Sequence, residues 1–221
     1  RSEQAGTGVE DSIGAAEVTV GGRVTSSDVD EGSSADYTTT DTAAHGTFTL
    51  TAAGDWTYTL DSARGAVQEL NVGQSLVETF TVTVTDDNNA TATQDVTVTI
   101  IGTNDAPIIT SSEQAGTVVE DSIVAAEVTV GGRVTSSDVD EGSTADYTTT
   151  DTAAHGAFTL TTDGDWTYTL VSAGDAVVQA LNVGQSLVET FTVTVTDDNN
   201  ATATQDVTVT IIGTNDAPII T

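Results

Sequence analysis

A chain of 221 residues with four arginines, no lysine and 34 acidic side chains carries a formal net charge of −30, a field that repels nucleic-acid phosphates and anionic lipid and so excludes both as partners. Cysteine is absent, so no disulfide braces the fold and no thiol serves as nucleophile or soft-metal ligand. No apolar run approaches the roughly 18–20 residues of a membrane span, and no basic-then-apolar leader opens the sequence; membrane insertion is not expected.

The length is that of two domains. Residues 1–66 align with 111–176 at an offset of 110, and Leu70 to Thr110 matches Leu181 to Thr221 without a change at an offset of 111. One residue is inserted between. About 110 residues per unit is a common domain size and enough for one core. The stretch Gly102 to Thr110 recurs as Gly213 to Thr221 and marks the joint. Pro107 holds its own φ and biases Ala106 towards an extended conformation, which makes a stiff linker. The domains are set at 1–106 and 107–221.

Taken in order, the unit opens on the acidic Val9-Glu10-Asp11 and then alternates large apolar residues with threonine over Glu17 to Val20, Thr47 to Leu50, Trp56 to Leu60, Phe80 to Val84 and Val96 to Ile100. That period of two, rich in β-branched residues, predicts half-buried strands. The longest is predicted over Ser75 to Asp86. Gly21-Gly22, Ala53-Gly54-Asp55 and Asp86-Asp87-Asn88-Asn89 read as turns, the last two between adjacent strands as hairpin loops require. Residues Ala63 to Leu70, and Gly174 to Leu181 in the second copy, read as a short helix. About seven strands per unit predict an all-β chain: two tandem antiparallel β-sandwich domains of immunoglobulin or cadherin-like type, in an extended arrangement. The regular apolar period rules out disorder despite the charge. Trp56, Tyr58 and Phe80 share a face with aliphatic neighbours and are assigned to the core, not to a sugar-stacking surface.

His45 and His155 are lone, and no Gly-x-Ser-x-Gly motif is present; neither catalysis nor transition-metal binding is expected. The acidic clusters carry the functional argument. Each unit places Glu10 (Glu120), the Asp28-x-Asp30 loop (Asp138-x-Asp140), Asp86 (Asp197) and Asn104-Asp105 (Asn215-Asp216) at strand ends or in the linker. Ca²⁺ takes six to eight oxygens at about 2.3–2.6 Å, gathered from such loops, and an Asp-x-Asp spacing presents two carboxylates on one side of an extended segment. Calcium is the expected ion. A purely solvated acidic surface is the competing reading.

The period of about 110, the run Asp163 to Leu170, Val178 to Leu181, the strand Phe80 to Asp86 and the closing Gly-Thr-Asn-Asp-Ala-Pro together resemble VCBS repeats. That resemblance covers the whole chain. It implies a piece of a long bacterial surface protein, such as the RTX-type biofilm adhesins exported by type I secretion, in which tandem domains act as an extender. It also implies an extracellular or cell-surface place. A looser resemblance is to cadherin repeats, whose linkers bind calcium between domains. The joint set so implied is Glu10, Asn104, Asp105, Asp138, Asp140 and Asp197, with Asp28, Asp30 and Asp86 at one end and Glu120, Asn215 and Asp216 at the other as half-sites. The cadherin Leu-Asp-Arg-Glu motif falls on Leu70-Asn71-Val72-Gly73, which lacks both carboxylates.

Two functions follow from this reading. One is a non-enzymatic, calcium-stiffened extender, monomeric, with neighbouring repeats of the same chain as its partners. The other is a module that grips a glycan or a partner protein directly, which a solvent-facing Trp56 or Trp166 would favour.

Overall fold

The computed structural model describes residues 4–11, 18–29, 33–122 and 128–218. The chain divides into two compact units, the first built on Arg1–Asn104 and the second on Asp105–Asp138 with Gly142–Thr221. Unit 1 contains β1 (Gln4–Val9), β2 (Thr19–Arg23), β3 (Ala35–Thr38), β4 (Gly46–Leu50), β5 (Asp55–Leu60), the four-residue helix α1 (Gly65–Gln68), β6 (Ser75–Asp86) and β7 (Thr91–Ile101). One sheet has the order β1-β7-β6-β3 and the other β2-β5-β4.

Unit 2 repeats the plan with β9 (Gln114–Val119), β10 (Thr129–Arg133), β12 (Ala145–Thr148), β13 (Gly156–Leu160), β14 (Asp165–Leu170), β15 (Ser186–Asp197) and β16 (Thr202–Ile212). Its sheets run β12-β15-β16-β9 and β10-β14-β13. It adds a two-stranded ladder of β8 (Ile108–Ile109) on β11 (Ser136–Ser137).

The apolar and threonine alternation decides which face is inside. Along β5 the burial alternates strictly, with Trp56, Tyr58 and Leu60 inward and threonines outward. Trp56 and Trp166 are 2% exposed, Tyr58 and Tyr168 0%, so they are core residues as expected. Phe48 stacks on Phe80 with ring centroids 4.0 Å apart, and Phe158 on Phe191 at the same distance, a near-parallel pairing that joins the two sheets of each sandwich. The Ser75 to Asp86 strand has the predicted bounds, and the turns at Gly54 and at residues 86–89 join antiparallel neighbours.

Three features differ from the sequence reading. Gly21 and Gly22 are not a turn; they lie inside β2, opposite Thr57 and Trp56. A Cβ on Gly22 would sit 3.0 Å from the Trp56 indole, so the glycine is there to let the ring lie against the backbone. The sandwich is not wholly antiparallel, because β1 pairs in parallel with β7, and β9 with β16. Among the described residues the helix forms in unit 1 only: in unit 2 Asp175, which stands where unit 1 has Gly65, accepts the Val177 and Val178 N–H groups at 3.0 and 3.2 Å, and the segment runs as turns. The expected strand residue Glu17 lies outside the described residues.

A charged side chain links the sheets. Glu78 on β6 accepts the Tyr58 hydroxyl at 2.5 Å and the N–H groups of Ala44 and His45 at 2.5 and 3.2 Å. Burial, then the Glu78 hydrogen bond, holds the Tyr58 hydroxyl well above the usual tyrosine range. Glu189 repeats the arrangement with Tyr168 and Ala154.

Candidate metal centre

The polar clusters sit at the two ends of the long strands. In unit 2 the parallel pairing of β9 with β16 ends at Val119 opposite Ile212, and the Glu120 N–H continues it by donating to the Ile212 carbonyl at 2.9 Å. Asp121 then takes a positive φ of 53°, which turns the chain out of the sheet; Asp tolerates that region better than most side chains. Glu120 is fully buried. Its Oε2 accepts the Thr214 N–H at 3.1 Å, and the Gln179 amide donates to its Oε1 at 3.3 Å and to Asp121 Oδ1 at 2.8 Å.

Asp216 completes the group. Glu120, Asp121 and Asp216 each present a carboxylate oxygen, all within 4.8 Å of one another. Oxygens on opposite sides of a Ca²⁺ ion at about 2.4 Å stand about 4.8 Å apart, so the three fit one coordination sphere. The donor set is all oxygen, which selects a hard cation over a transition metal. Like charges gathered round a buried carboxylate repel, and a dication relieves that repulsion. Asn215 lies beside the group, its amide donating to the Asp216 carbonyl at 3.1 Å.

Unit 1 builds the same cradle. Glu10 is fully buried, its Oε2 accepts the Thr103 N–H at 3.1 Å, and Gln68 donates to Glu10 Oε1 at 3.3 Å and to Asp11 Oδ1 at 2.8 Å. Asp11 has φ 50°. Asn104 closes the first unit and Asp105 opens the second; both are half-buried.

At the other end of the strand in unit 2, Asp197 is 6% exposed and its Oδ1 accepts the N–H groups of Asn199 and Ala201 at 2.9 and 2.8 Å. One of its oxygens therefore shapes the hairpin turn. Asp86 does the same for Asn88 and Ala90 at 2.8 Å each. Asp138 accepts the Ser143 hydroxyl at 2.9 Å, and that hydroxyl also lies 3.3 Å from Asp198. Asp28 accepts from Ser33 at 3.1 Å, with Asp87 at 3.1 Å from the same hydroxyl. Asp140 is 5% exposed, and Asp30 lies outside the described residues.

Of the twelve expected ligands, the structure brings Glu120 and Asp216 into one three-carboxylate group, and its third member is Asp121. Sequence reasoning left out Asp11, Asp121, Gln68 and Gln179. The adjacency of Glu and Asp was the available signal for the first two; the glutamines sit where a helix face was expected and offered none. In effect Gln68 and Gln179, three residues ahead of Asn71 and Asn182, hold the buried glutamate in a segment that lacks the cadherin carboxylates.

A family model described as a bacterial cadherin-like domain matches residues 2–102 and again residues 104–213. Among solved structures the chain is similar to mouse cadherin-23 EC22-24, with a TM-score of 0.56 and 18% identity over 96% of this chain and 63% of that one. It is similar also to Drosophila N-cadherin EC1-4, with a TM-score of 0.53 and 19% identity over 96% of this chain and 48% of that one. The chain thus spans less than two thirds of the length of either, and at these identities the likeness is one of fold. No protein with a curated description matches the chain.

Proposed function

The chain belongs to the bacterial cadherin-like domain family, and on that premise we propose that it is a non-enzymatic extender: tandem spacer modules of a long bacterial cell-surface adhesin, stiffened by Ca²⁺ at the joint. The observation that carries this reading is that the family's domain occurs twice in near-identical copies along almost the whole chain. A spacer needs only a repeated shape, whereas a binding module needs a distinct surface. The fully buried indoles of Trp56 and Trp166 remove the stacking face a glycan-binding module would use. The likeness to VCBS repeats supports an RTX-type, type I secreted parent with a biofilm role and an extracellular place. Neighbouring repeats of the same chain are its partners.

Calcium is supported by the Glu120, Asp121 and Asp216 group and by the matching Glu10 and Asp11 cradle. The joint would draw on Glu10, Asn104, Asp105, Asp138, Asp140 and Asp197, leaving Asp28, Asp30 and Asp86, and Glu120, Asn215 and Asp216, as half-sites. Small-angle scattering in calcium tests it. Asp105→Ala or Asp140→Ala should loosen the joint while each repeat stays folded, and Asp28→Ala should not. Equal loosening by Asp28→Ala and Asp140→Ala, or by neither, would remove calcium from the joint.

A further inference from the structure

Each repeat holds its buried glutamate with a glutamine, and the two bring that glutamine into place by different means. Gln68 reaches Glu10 Oε1 and Asp11 Oδ1 at 3.3 and 2.8 Å, and Gln179 reaches Glu120 Oε1 and Asp121 Oδ1 at the same distances. The residue four places before the glutamine is Arg64 in unit 1 and Asp175 in unit 2. In unit 1 the Val67, Gln68 and Glu69 N–H groups donate to main-chain carbonyls at 2.9, 3.0 and 2.9 Å. Arg64 caps α1 with no side-chain bond, and its guanidinium pairs at the surface with Asp61, both about half exposed. His45 Nδ1 finds no hydrogen-bond partner among the described residues.

In unit 2 the Asp175 carboxylate does two things at once. Its Oδ1 takes the Val177 and Val178 N–H groups, while its Oδ2 lies 2.7 Å from His155 Nδ1, with the two side chains 19% and 18% exposed. His155 is itself fixed by the sheets: its carbonyl accepts the Val171 N–H at 3.0 Å, and the Ala154 N–H before it donates to Glu189 of β15. At the far side of the turn Val178 is fully buried in the core, the Gln179 N–H donates to the Asp175 carbonyl at 2.9 Å, and the Gln179 side chain meets the glutamate. A run of fixed groups thus leads from the sheet through His155 and Asp175 to the glutamine.

We propose that His155 and Asp175 form a positioning pair for the calcium cradle of the second repeat: by fixing the turn from Asp175 to Gln179 they hold the Gln179 amide on Glu120 and Asp121 before the ion arrives. The inference rests on the calcium reading above. An amide nitrogen has two N–H groups, so Gln179 serves both carboxylates at once and keeps two like charges side by side. A ligand set held in this way loses less freedom on binding, and removing a group that orients metal ligands typically lowers affinity about 10–100-fold. Asp175 stands one step further out. Its removal is the loss of a turn cap, an effect of about fivefold.

Calcium titration of the full chain followed by NMR tests it, because the backbone amides of Asp11 and Asp121 report the two repeats separately. Gln179→Ala should weaken binding at the second repeat about 10–100-fold and Asp175→Ala about fivefold, with the first repeat unchanged. Asp175→Asn retains an acceptor for the Val177 and Val178 N–H groups and a polar group facing His155, so it should keep most of the affinity. The two losses should not add: with Gln179→Ala already present, Asp175→Ala should cost nothing further, because its route to the ion is gone. A second readout needs no ion. In chelator the Gln179 side-chain amide protons should exchange with water faster in Asp175→Ala than in the wild type, while those of Gln68 stay as they are. Unchanged affinity or unchanged Gln179 exchange in Asp175→Ala, or the same loss with and without Gln179, refutes the positioning role and leaves the calcium reading standing. A wild-type chain that binds no calcium at the second repeat overturns both.

Discussion

Asp216→Asn tests the calcium reading at an exposed member of the three-carboxylate group. An extracellular-type site has a dissociation constant of about 10⁻⁴–10⁻³ M, so about 10 mM free calcium stands roughly 10–100 times above it and stabilises the second repeat by about 1.4–2.7 kcal/mol. For a domain of this size each kcal/mol moves the melting temperature by about 4–8 °C, which gives a rise of about 6–22 °C. The assay is calorimetry in calcium and in chelator with ionic strength matched by sodium chloride, because screening alone steadies a chain of charge −30. The variant should lose most of the calcium-dependent rise in the second repeat. In chelator it should melt no lower than the wild type, since Glu120 and Asp121 have lost a like-charged neighbour. This reversal of sign distinguishes a metal ligand from an ordinary structural residue. If Asp216→Asn lowers both melting temperatures equally, or calcium raises neither, the carboxylates hold no ion.

Three further outcomes follow from packing and titration. Phe191→Ala removes a ring that is 1% exposed and stacked on Phe158; it should cost about 3–5 kcal/mol and split urea unfolding into two steps, with the first repeat unchanged. Gly46→Ala would place a Cβ 2.3 Å from the Thr59 carbonyl oxygen, whereas Gly65→Ala meets nothing within 4 Å; the first should destabilise by about 1–3 kcal/mol and the second be neutral or slightly stabilising, read by the same denaturation. Asp175 lies 2.7 Å from His155 Nδ1, and that hydrogen bond holds its carboxyl below the usual range. A carboxyl lowered by folding stabilises above its unfolded value of about 3.9 and loses that contribution as pH falls through the folded one; Asp175→Asn should therefore speed amide exchange in the second repeat at pH 6, and the difference from the wild type should fade as acid protonates the folded carboxyl.

The strands were legible wherever threonine alternates with a large apolar residue, because that period has a single buried face. It gave the Ser75–Asp86 strand with its observed bounds and the inward Trp56 and Tyr58. It was silent on β1, where Gln4–Val9 carries two glycines and no bulky inward series, and a parallel edge strand leaves no hairpin turn to announce it. Gly21 and Gly22 misled, since glycine marks either a turn or a close approach and only the position of the Trp56 ring decides between them. Glu78 reads as an outward charge in a strand, yet its carboxylate bonds Tyr58 across the sheets, a partner that only the fold supplies. The acidic clusters were legible as clusters, and the buried state of Glu10 and Glu120 was not: adjacent acids look alike in sequence, and one is buried because it continues a strand while the next, at positive φ, turns away.

Comparing two copies of one sequence says little about function while only letters are compared, because neutral positions agree as well as functional ones. It says more once both copies are folded. Leu70 to Thr110 and Leu181 to Thr221 are identical, so a difference between Val84 and Val195, or between Asp86 and Asp197, cannot originate within those segments. It must come from what packs on them. In unit 2 Ile109 of β8 packs against the core cluster that contains Val195, and the apolar gain of such cover scales with the area taken from water. The repeat is thus one domain whose last side is closed by residues written in the preceding linker, and a linker of this kind is part of the next fold's core as well as a tether.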